Sequence, residues 1–262
     1  MSQDDDSNLK EVKARVETSH RITDLTHKLD FYDHWAATYD QDVSTLKYRA
    51  PSLAVACLTE ALKVPPSEAL ILDVACGTGL VAAELQARGY KRLHGVDGSP
   101  GMLAQARAHC LYQNLQLCTV GRESLPSPEG TYDAVLIVGA LSEGQVPYSA
   151  IPELLRVTKP GGLLCLTTRT NPSNLSYKIS MEAMLDMLEQ AGAWERLMSR
   201  PVEQWELATS ESEAASDPSA SPASPSFISG IVYLYRRSQR PIQAQFQRPW
   251  PQPRAAAEKP HH

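Results

Sequence analysis

Ile71-Leu72-Asp73-Val74-Ala75-Cys76-Gly77-Thr78-Gly79 joins an apolar run, interrupted by one carboxylate, to a loop almost bare of side chains. Such a run ahead of glycines is the pattern of a buried strand passing into a helix, where glycine lets the main chain turn sharply and approach a ligand. Asp97 follows at about the spacing at which doubly wound folds set an acid against the ribose hydroxyls of an adenosine ligand. Together the two features indicate nucleoside binding.

Outward from that stretch, strand and helix patterns alternate in short units. Strands are predicted over 70–75, 92–97, 115–120, 132–138 and 163–168, with two more over 202–207 and 227–236. A helix over 80–88 stops at Gly89, and Ser99-Pro100 supplies an N-cap with proline in the first turn of the next. A helix through Ile151, Leu154 and Leu155 ends before Pro160-Gly161-Gly162, and another over 181–191 takes Ser180 as cap and Gly192 as stop. This alternation predicts an α/β fold: a doubly wound, mostly parallel seven-stranded sheet with right-handed crossovers and helices on both faces. Ligands then sit at the carboxyl ends of the strands.

The flanks read differently. Residues 1–20 carry only Leu9, Val12 and Val16 as an apolar series, enough for a frayed helix that needs docking. Leu25, Leu29, Tyr32, Trp35 and Tyr39 recur at spacings of three and four, predicting one helix that ends near Asp40 with three aromatics on a face. Pro51 opens a further helix with Leu53, Val55, Leu58 and Leu62, closed by Pro65-Pro66. Residues 209–226, rich in Ser, Ala, Pro and acid, and the Pro, Gln and Arg-rich tail 239–262 are expected to be disordered.

A length of 262 residues suits one large domain with polar ends, and the net charge of -5 disfavours tight binding to a nucleic-acid backbone. The five cysteines show no CxxC pair and fall mostly in apolar segments, so they read as core thiols of a reducing compartment. No run reaches bilayer length and the start is acidic. These features predict a cytoplasmic protein without a membrane segment or a metal site, and leave nuclear entry open.

Gly77-Thr78-Gly79-Leu80-Val81-Ala82 also satisfies the GxGxxA dinucleotide fingerprint, so an NAD-dependent oxidoreductase stands as an alternative. Asp73 weighs against it, because a buried carboxylate repels a pyrophosphate and favours a cationic ligand. S-adenosylmethionine carries a sulfonium and an ammonium and no phosphate. Asp73 to Gly79, then Asp97-Gly98-Ser99-Pro100-Gly101-Met102-Leu103, Gly121 to Pro126, Tyr132-Asp133 and Pro160-Gly161-Gly162 fall in one order, and over about residues 30–195 this series resembles the class I S-adenosylmethionine-dependent methyltransferases.

That resemblance implies a Rossmann-like methyltransferase fold and assigns roles. Asp73 and the backbone of Ala75, Cys76, Gly77, Thr78 and Gly79 would hold the methionine moiety. Asp97, with Gly98 beside it, would accept from the ribose hydroxyls, Met102 would pack on adenine, and the Arg122-Glu123 backbone would meet the adenine edge. Tyr32, Trp35 and Tyr39 would form a lid, and residues 138–141, beginning with Val138, would floor the transfer site. Ala75 stands where the family usually has a glycine, and Arg122 where an acid is common. The implied organisation is a helical lid over 1–45 and a methyltransferase domain over 46–208 and 227–238.

Transfer from a sulfonium needs chiefly alignment, so the donor is more legible than the acceptor. The segment Val138-Gly139-Ala140-Leu141-Ser142-Glu143-Gly144 lacks the Asn/Asp-Pro-Pro-aromatic signature of members acting on amino groups of bases or glutamine. The expected acceptor is therefore a small metabolite or a protein side chain, with nucleic acid disfavoured. Candidate acceptor contacts are Glu143, Tyr148, Arg169, Asn171 and Tyr177 on loops at the carboxyl edge, and His34 is the candidate general base. A sensor that binds the cofactor without transferring a methyl group is a further alternative. Arg248-Pro249-Trp250-Pro251-Gln252-Pro253-Arg254 could serve as a polyproline ligand for an SH3-type partner.

Overall fold

The computed structural model describes residues 3–210, 213 and 226–239, with side chains from residue 7. Strand β1, Leu70–Val74, is apolar on both sides because both faces of the sheet are covered: Ile71 enters one core, Leu72 and Val74 the other. The same division holds in β4, Tyr132–Ile137, where Ala134 and Leu136 face one way and Val135 and Ile137 the other.

The remaining strands are β2 (Arg92–Asp97), β3 (Asn114–Leu117), β5 (Thr158–Arg169), β6 (Trp194–Leu207) and β7 (Phe227–Arg237). They form one seven-stranded sheet in the order β3-β2-β1-β4-β5-β7-β6. Pairing is parallel from β3 through β5, and β7 runs antiparallel to both β5 and β6. Helices α4 (Ala50–Ala61) and α5 (Leu80–Ala87) cover one face. Helices α7 (Ile151–Val157) and α8 (Leu175–Gln190) cover the other. Strand order reverses beside β1, so the carboxyl ends of β1, β2 and β4 open a crevice there. Helix α6, Pro100–Ala108, flanks it, its N-cap Ser99 accepting from Met102 N at 3.1 Å.

The N-terminal region is more ordered than its sparse apolar pattern predicts. Helix α1 spans Gln3–Arg21, and Val12 and Val16 are buried with Trp35, Val43 and Leu46. Docking supplies what the isolated helix lacks: Arg15 pairs with Asp42, which also accepts from Trp35 Nε1 at 2.6 Å. The single aromatic helix expected to reach Asp40 is two, α2 (Leu25–Trp35) and α3 (Tyr39–Thr45). The break turns the chain so that Asp42 lies under the buried indole and Tyr39 packs 4.8 Å from Trp35, ring to ring.

Other boundaries move for tertiary reasons. Helix α8 begins at Leu175 rather than after Ser180; Ser180 Oγ instead bonds Ser176 O inside the helix, and Tyr177 is anchored through its hydroxyl to Val146 O at 2.7 Å. Strand β3 stops at Leu117 rather than Val120, because Cys118 N bonds Asp97 O and diverts the chain over the crevice. Strand β5 starts before the Pro160-Gly161-Gly162 stretch because Thr158 pairs with Tyr132 of β4, and β6 starts eight residues before position 202 because β7 gives it an antiparallel partner from Trp194 onward. Of the segment 209–226 expected to be disordered, Thr209 and Glu213 are buried, with Glu213 accepting from Thr209 N at 3.0 Å; most of the rest, the tail beyond residue 239 and the proline-rich stretch 248–254 lie outside the described residues. Among the described residues no helix is long and apolar enough to cross a membrane.

One glycine decides how β6 meets the sheet. A Cβ on Gly230 would lie 2.3 Å from the indole of Trp205, which is buried across β7. Gly230→Ala is therefore expected to destabilise the fold by about 1–3 kcal/mol through overpacking. Urea unfolding with an unchanged midpoint would show that the indole is free to move aside.

Candidate functional site

At the carboxyl ends of β1, β2 and β4 lies a cavity of about 110 Å³. Its floor is Ala75, Gly77 and Val138 to Ala140; Asp97, Gly98 and Met102 form one wall; Leu25, Lys28, Leu29 and Tyr32 of α2 and Tyr39 of α3 form the roof. The first loop reaches this position through backbone that few side chains tolerate: Ala75 at φ 55° and Gly77 at φ 55°, followed by Gly79 at φ 102° as the N-cap of α5. Space for a Cβ on Gly77 is open, so conformation rather than crowding selects glycine there.

Asp97 organises the junction. Its Oδ2 accepts from Gly77 N at 2.8 Å and its Oδ1 from Ser99 N at 2.9 Å, which ties the β1 and β2 loops together. A carboxylate accepts about four hydrogen bonds, so roughly two acceptor sites remain directed at other partners. Burial pushes the Asp97 carboxyl above its ordinary range, and the backbone N–H groups of Ser99, Gly77 and Gly98 pull it back toward the charged form.

The roof is latched at both ends. Asp33 of α2 accepts from Gly101 N at 2.8 Å and from Ser99 Oγ, capping α6 from the roof side. At the other end Gln145 Nε2 donates to Tyr32 Oη at 2.7 Å, and Gln145 Oε1 accepts from Ser142 Oγ at 2.8 Å. Tyr32 packs on Trp35 with rings 5.7 Å apart, and burial pushes its hydroxyl up to about 12.

Of the residues singled out in the sequence, Tyr32, Tyr39, Ala75, Gly77, Asp97, Gly98, Met102 and Val138 line this cavity. Others do not. Asp73 is buried behind the floor, its Oδ2 taking the Tyr112 hydroxyl at 2.7 Å, and burial raises its carboxyl to about 7. Cys76, Thr78 and Gly79, in the first loop itself, do not line the cavity either, and the Thr78 hydroxyl donates to Asp40. Trp35 is spent on Asp42. The chain turns at Gly121, so Thr119 and Val120 form the wall expected of Arg122 and Glu123; Arg122 instead reaches Thr26 Oγ1 at 3.2 Å, and Glu123 accepts from Thr119 N at 2.7 Å.

The acceptor candidates are scattered. His34 is exposed, has Nδ1 2.7 Å from Asp30 O, and does not line the cavity. Glu143, Tyr148 and Tyr177 line an open cleft of about 300 Å³ beside Gly144. Asn171 is buried against Ser173 and Glu213. Arg169 lines a second cavity that adjoins the first.

Several residues at the site carried no sequence signal that was read. Lys28, 2% exposed, brings a cation to the roof, and desolvation lowers its pKa to about 8. Its place on the same face as Tyr32 of α2 was visible in the spacing of four. Tyr48, Gln145 and Glu206 come from loops and strand ends whose positions depend on the whole sheet.

A doubly wound sheet with a glycine-turned first loop and a buried acid at the end of its second strand defines a Rossmann-like fold. A family model described as a methyltransferase domain matches residues 71–162. The chain is 70% identical over 203 residues to methyltransferase-like protein 27 of Homo sapiens, covering 78% of this chain and 82% of that protein. It is 28% identical over 216 residues to a demethylmenaquinone methyltransferase of Clavibacter sepedonicus, covering 78% and 87%. The chain solved in complex with the Haloferax volcanii Trm112 methyltransferase activator superimposes with a TM-score of 0.58 at 16% identity, covering 79% of this chain and 97% of that one. The chain belongs to the class I S-adenosylmethionine-dependent methyltransferases and is an enzyme of that class. The dinucleotide-dependent oxidoreductase alternative is thereby set aside.

Proposed function

We propose that the 110 Å³ cavity is the S-adenosylmethionine site and that the methyl acceptor is a small metabolite or a protein side chain rather than nucleic acid. The observation that carries the cofactor placement is Asp97: buried, held by two backbone N–H groups, and with acceptor capacity left on the cavity side where two ribose hydroxyls would bind. Met102 and Leu29 would enclose the adenine, Thr119 and Val120 would meet its edge, and the Ala75 and Gly77 backbone would hold the methionine end. When bound, S-adenosylmethionine supplies a methyl group on a positively charged sulfur. With Asp73 tied to Tyr112, the favourable surroundings for that charge would be the aromatic side chains of Tyr32 and Tyr39 that line the cavity rather than a buried carboxylate.

The chain's own contribution is then alignment and exclusion of water. Residues up to about Tyr39 would act as the lid, and the two latches, Asp33 to α6 and Gln145 to Tyr32, would hold it down. The net charge of -5 supports a non-nucleic-acid acceptor.

Calorimetry with S-adenosylhomocysteine tests the cofactor site directly. The expected outcome is stoichiometric binding accompanied by increased amide protection across α2 and through Tyr39 in hydrogen exchange. Binding without any change in exchange there would remove the lid role; no binding would remove the site.

A further inference from the structure

The second cavity, about 50 Å³, shares Tyr32, Tyr39, Gly139 and Gln145 with the first and so adjoins the floor of the transfer site. It holds two opposite charges that do not pair with each other. Glu206, at the end of β6, is 7% exposed and has no hydrogen-bond or ion-pair partner among the described residues. Arg169, at the end of β5, places Nη1 2.7 Å from His20 Nε2, and its other N–H groups have no partner among the described residues. Among the described residues the fully buried side-chain atoms without a partner are Asn171 Oδ1 and Arg237 Nε, whereas Glu206 and Arg169 line the cavity.

An unpaired donor set and an unpaired acceptor set facing one small space call for a ligand with both complements. The aromatic side chains of Trp35, Tyr48 and Trp205 complete the wall. The volume admits only a few heavy atoms, at about 10–15 Å³ for each water-sized group. A protein side chain would bring the amine without the carboxylate.

We propose that this second cavity is the acceptor pocket and takes a small amino acid, with Arg169 receiving its carboxylate and Glu206 accepting the proton of its ammonium. This rests on the cofactor reading above. The ammonium gives one proton to a Glu206 oxygen. The freed nitrogen lone pair forms a bond to the methyl carbon as the carbon–sulfur bond breaks, its electron pair staying on sulfur. The products are an N-methylammonium acid and a neutral thioether, and Glu206 returns its proton to solvent. Burial raises the Glu206 carboxyl to about 7, against the pull of Arg169, which suits proton transfer near neutrality.

The test uses the full chain with glycine, L-alanine, L-serine and β-alanine, set against glycinamide, which lacks the carboxylate, and glycolate, which lacks the amine. Calorimetry in the presence of S-adenosylhomocysteine should show binding of at least one amino acid. Binding should weaken at least 10-fold for glycinamide and at least 10-fold for Arg169→Gln. Affinity for S-adenosylhomocysteine alone should stay within about 2-fold in Arg169→Gln and Glu206→Gln, which also reports that both variants fold. With labelled methyl donor, Glu206→Gln should lower kcat by about 100-fold while KM for the amino acid holds. Wild-type protein that binds S-adenosylhomocysteine but neither binds nor methylates any of the four amino acids would overturn the proposal and leave the cofactor reading intact. So would a Glu206→Gln variant that transfers at the wild-type rate. Failure of the wild type to bind S-adenosylhomocysteine would overturn both.

Discussion

Asp97→Ala is expected to weaken S-adenosylhomocysteine binding by about 100-fold to 10,000-fold. Hydrogen bonds to a charged group contribute about 1.5–3 kcal/mol each, and two ribose hydroxyls on one carboxylate give roughly 3–6 kcal/mol. The loss has a second source, since Gly77 N and Ser99 N both donate to this side chain and the first loop would lose its tether to β2. Asp97→Asn separates charge from space: the amide offers one acceptor oxygen, and its NH₂ would confront a backbone N–H donor. It should therefore weaken binding nearly as much as Ala. Calorimetry reads the affinity, and thermal unfolding without ligand isolates the structural share. A change of less than threefold in Kd for Asp97→Ala would show that the nucleoside lies elsewhere.

The second expected result concerns stability and runs opposite to intuition about a buried acid in a family motif. Asp73 is 2% exposed, and burial lifts its carboxyl from the ordinary 3.8 to about 7 although the Tyr112 hydroxyl lowers it in part. Between those two values the unfolded chain has released the proton and the folded chain still holds it. Stability is therefore fully present below about pH 4, falls as pH rises toward 7, and levels off above it. About three pH units at ~1.36 kcal/mol each make the loss up to about 4 kcal/mol. Asp73→Asn keeps an acceptor for the Tyr112 hydroxyl and has nothing to ionise. Its unfolding free energy should be flatter than wild type from pH 4 to 7 and higher by up to about 4 kcal/mol at pH 8. Because Asp73 does not line the cavity, affinity for S-adenosylhomocysteine should change by no more than a few-fold. Parallel pH profiles for the two proteins, or a large loss of affinity, would show that Asp73 is ionised and turned toward the ligand.

These two acids mark how far the residues could be read before the fold was known. Asp97 was legible because spacing after a glycine-rich turn carries geometric meaning: the ends of two adjacent parallel strands must lie side by side. Asp73 lies one strand over and in register with Gly95, yet its partner Tyr112 arrives from the loop before β3, and the missing side chain at Gly95 makes room for that ring. Nothing local to residues 71–79 announces Tyr112. The same holds for Arg122, whose backbone the family resemblance sets at the adenine edge and whose side chain the fold brings to Thr26.

Local periodicity and turn chemistry were enough for the doubly wound sheet, the first loop and the position of Asp97, because each depends on near neighbours in the chain or on adjacent strands, and the ordered motifs carried the resemblance to the methyltransferase class. The second cavity was decided by tertiary structure alone. His20, Tyr48, Gly139, Arg169 and Glu206 come from five separate segments, and they converge only after the antiparallel β7 brings β6 back toward β5 and the docked α1 closes over the ends. A sequence pattern records which side of its own element a residue occupies; which distant sides then face one another is set by long-range packing.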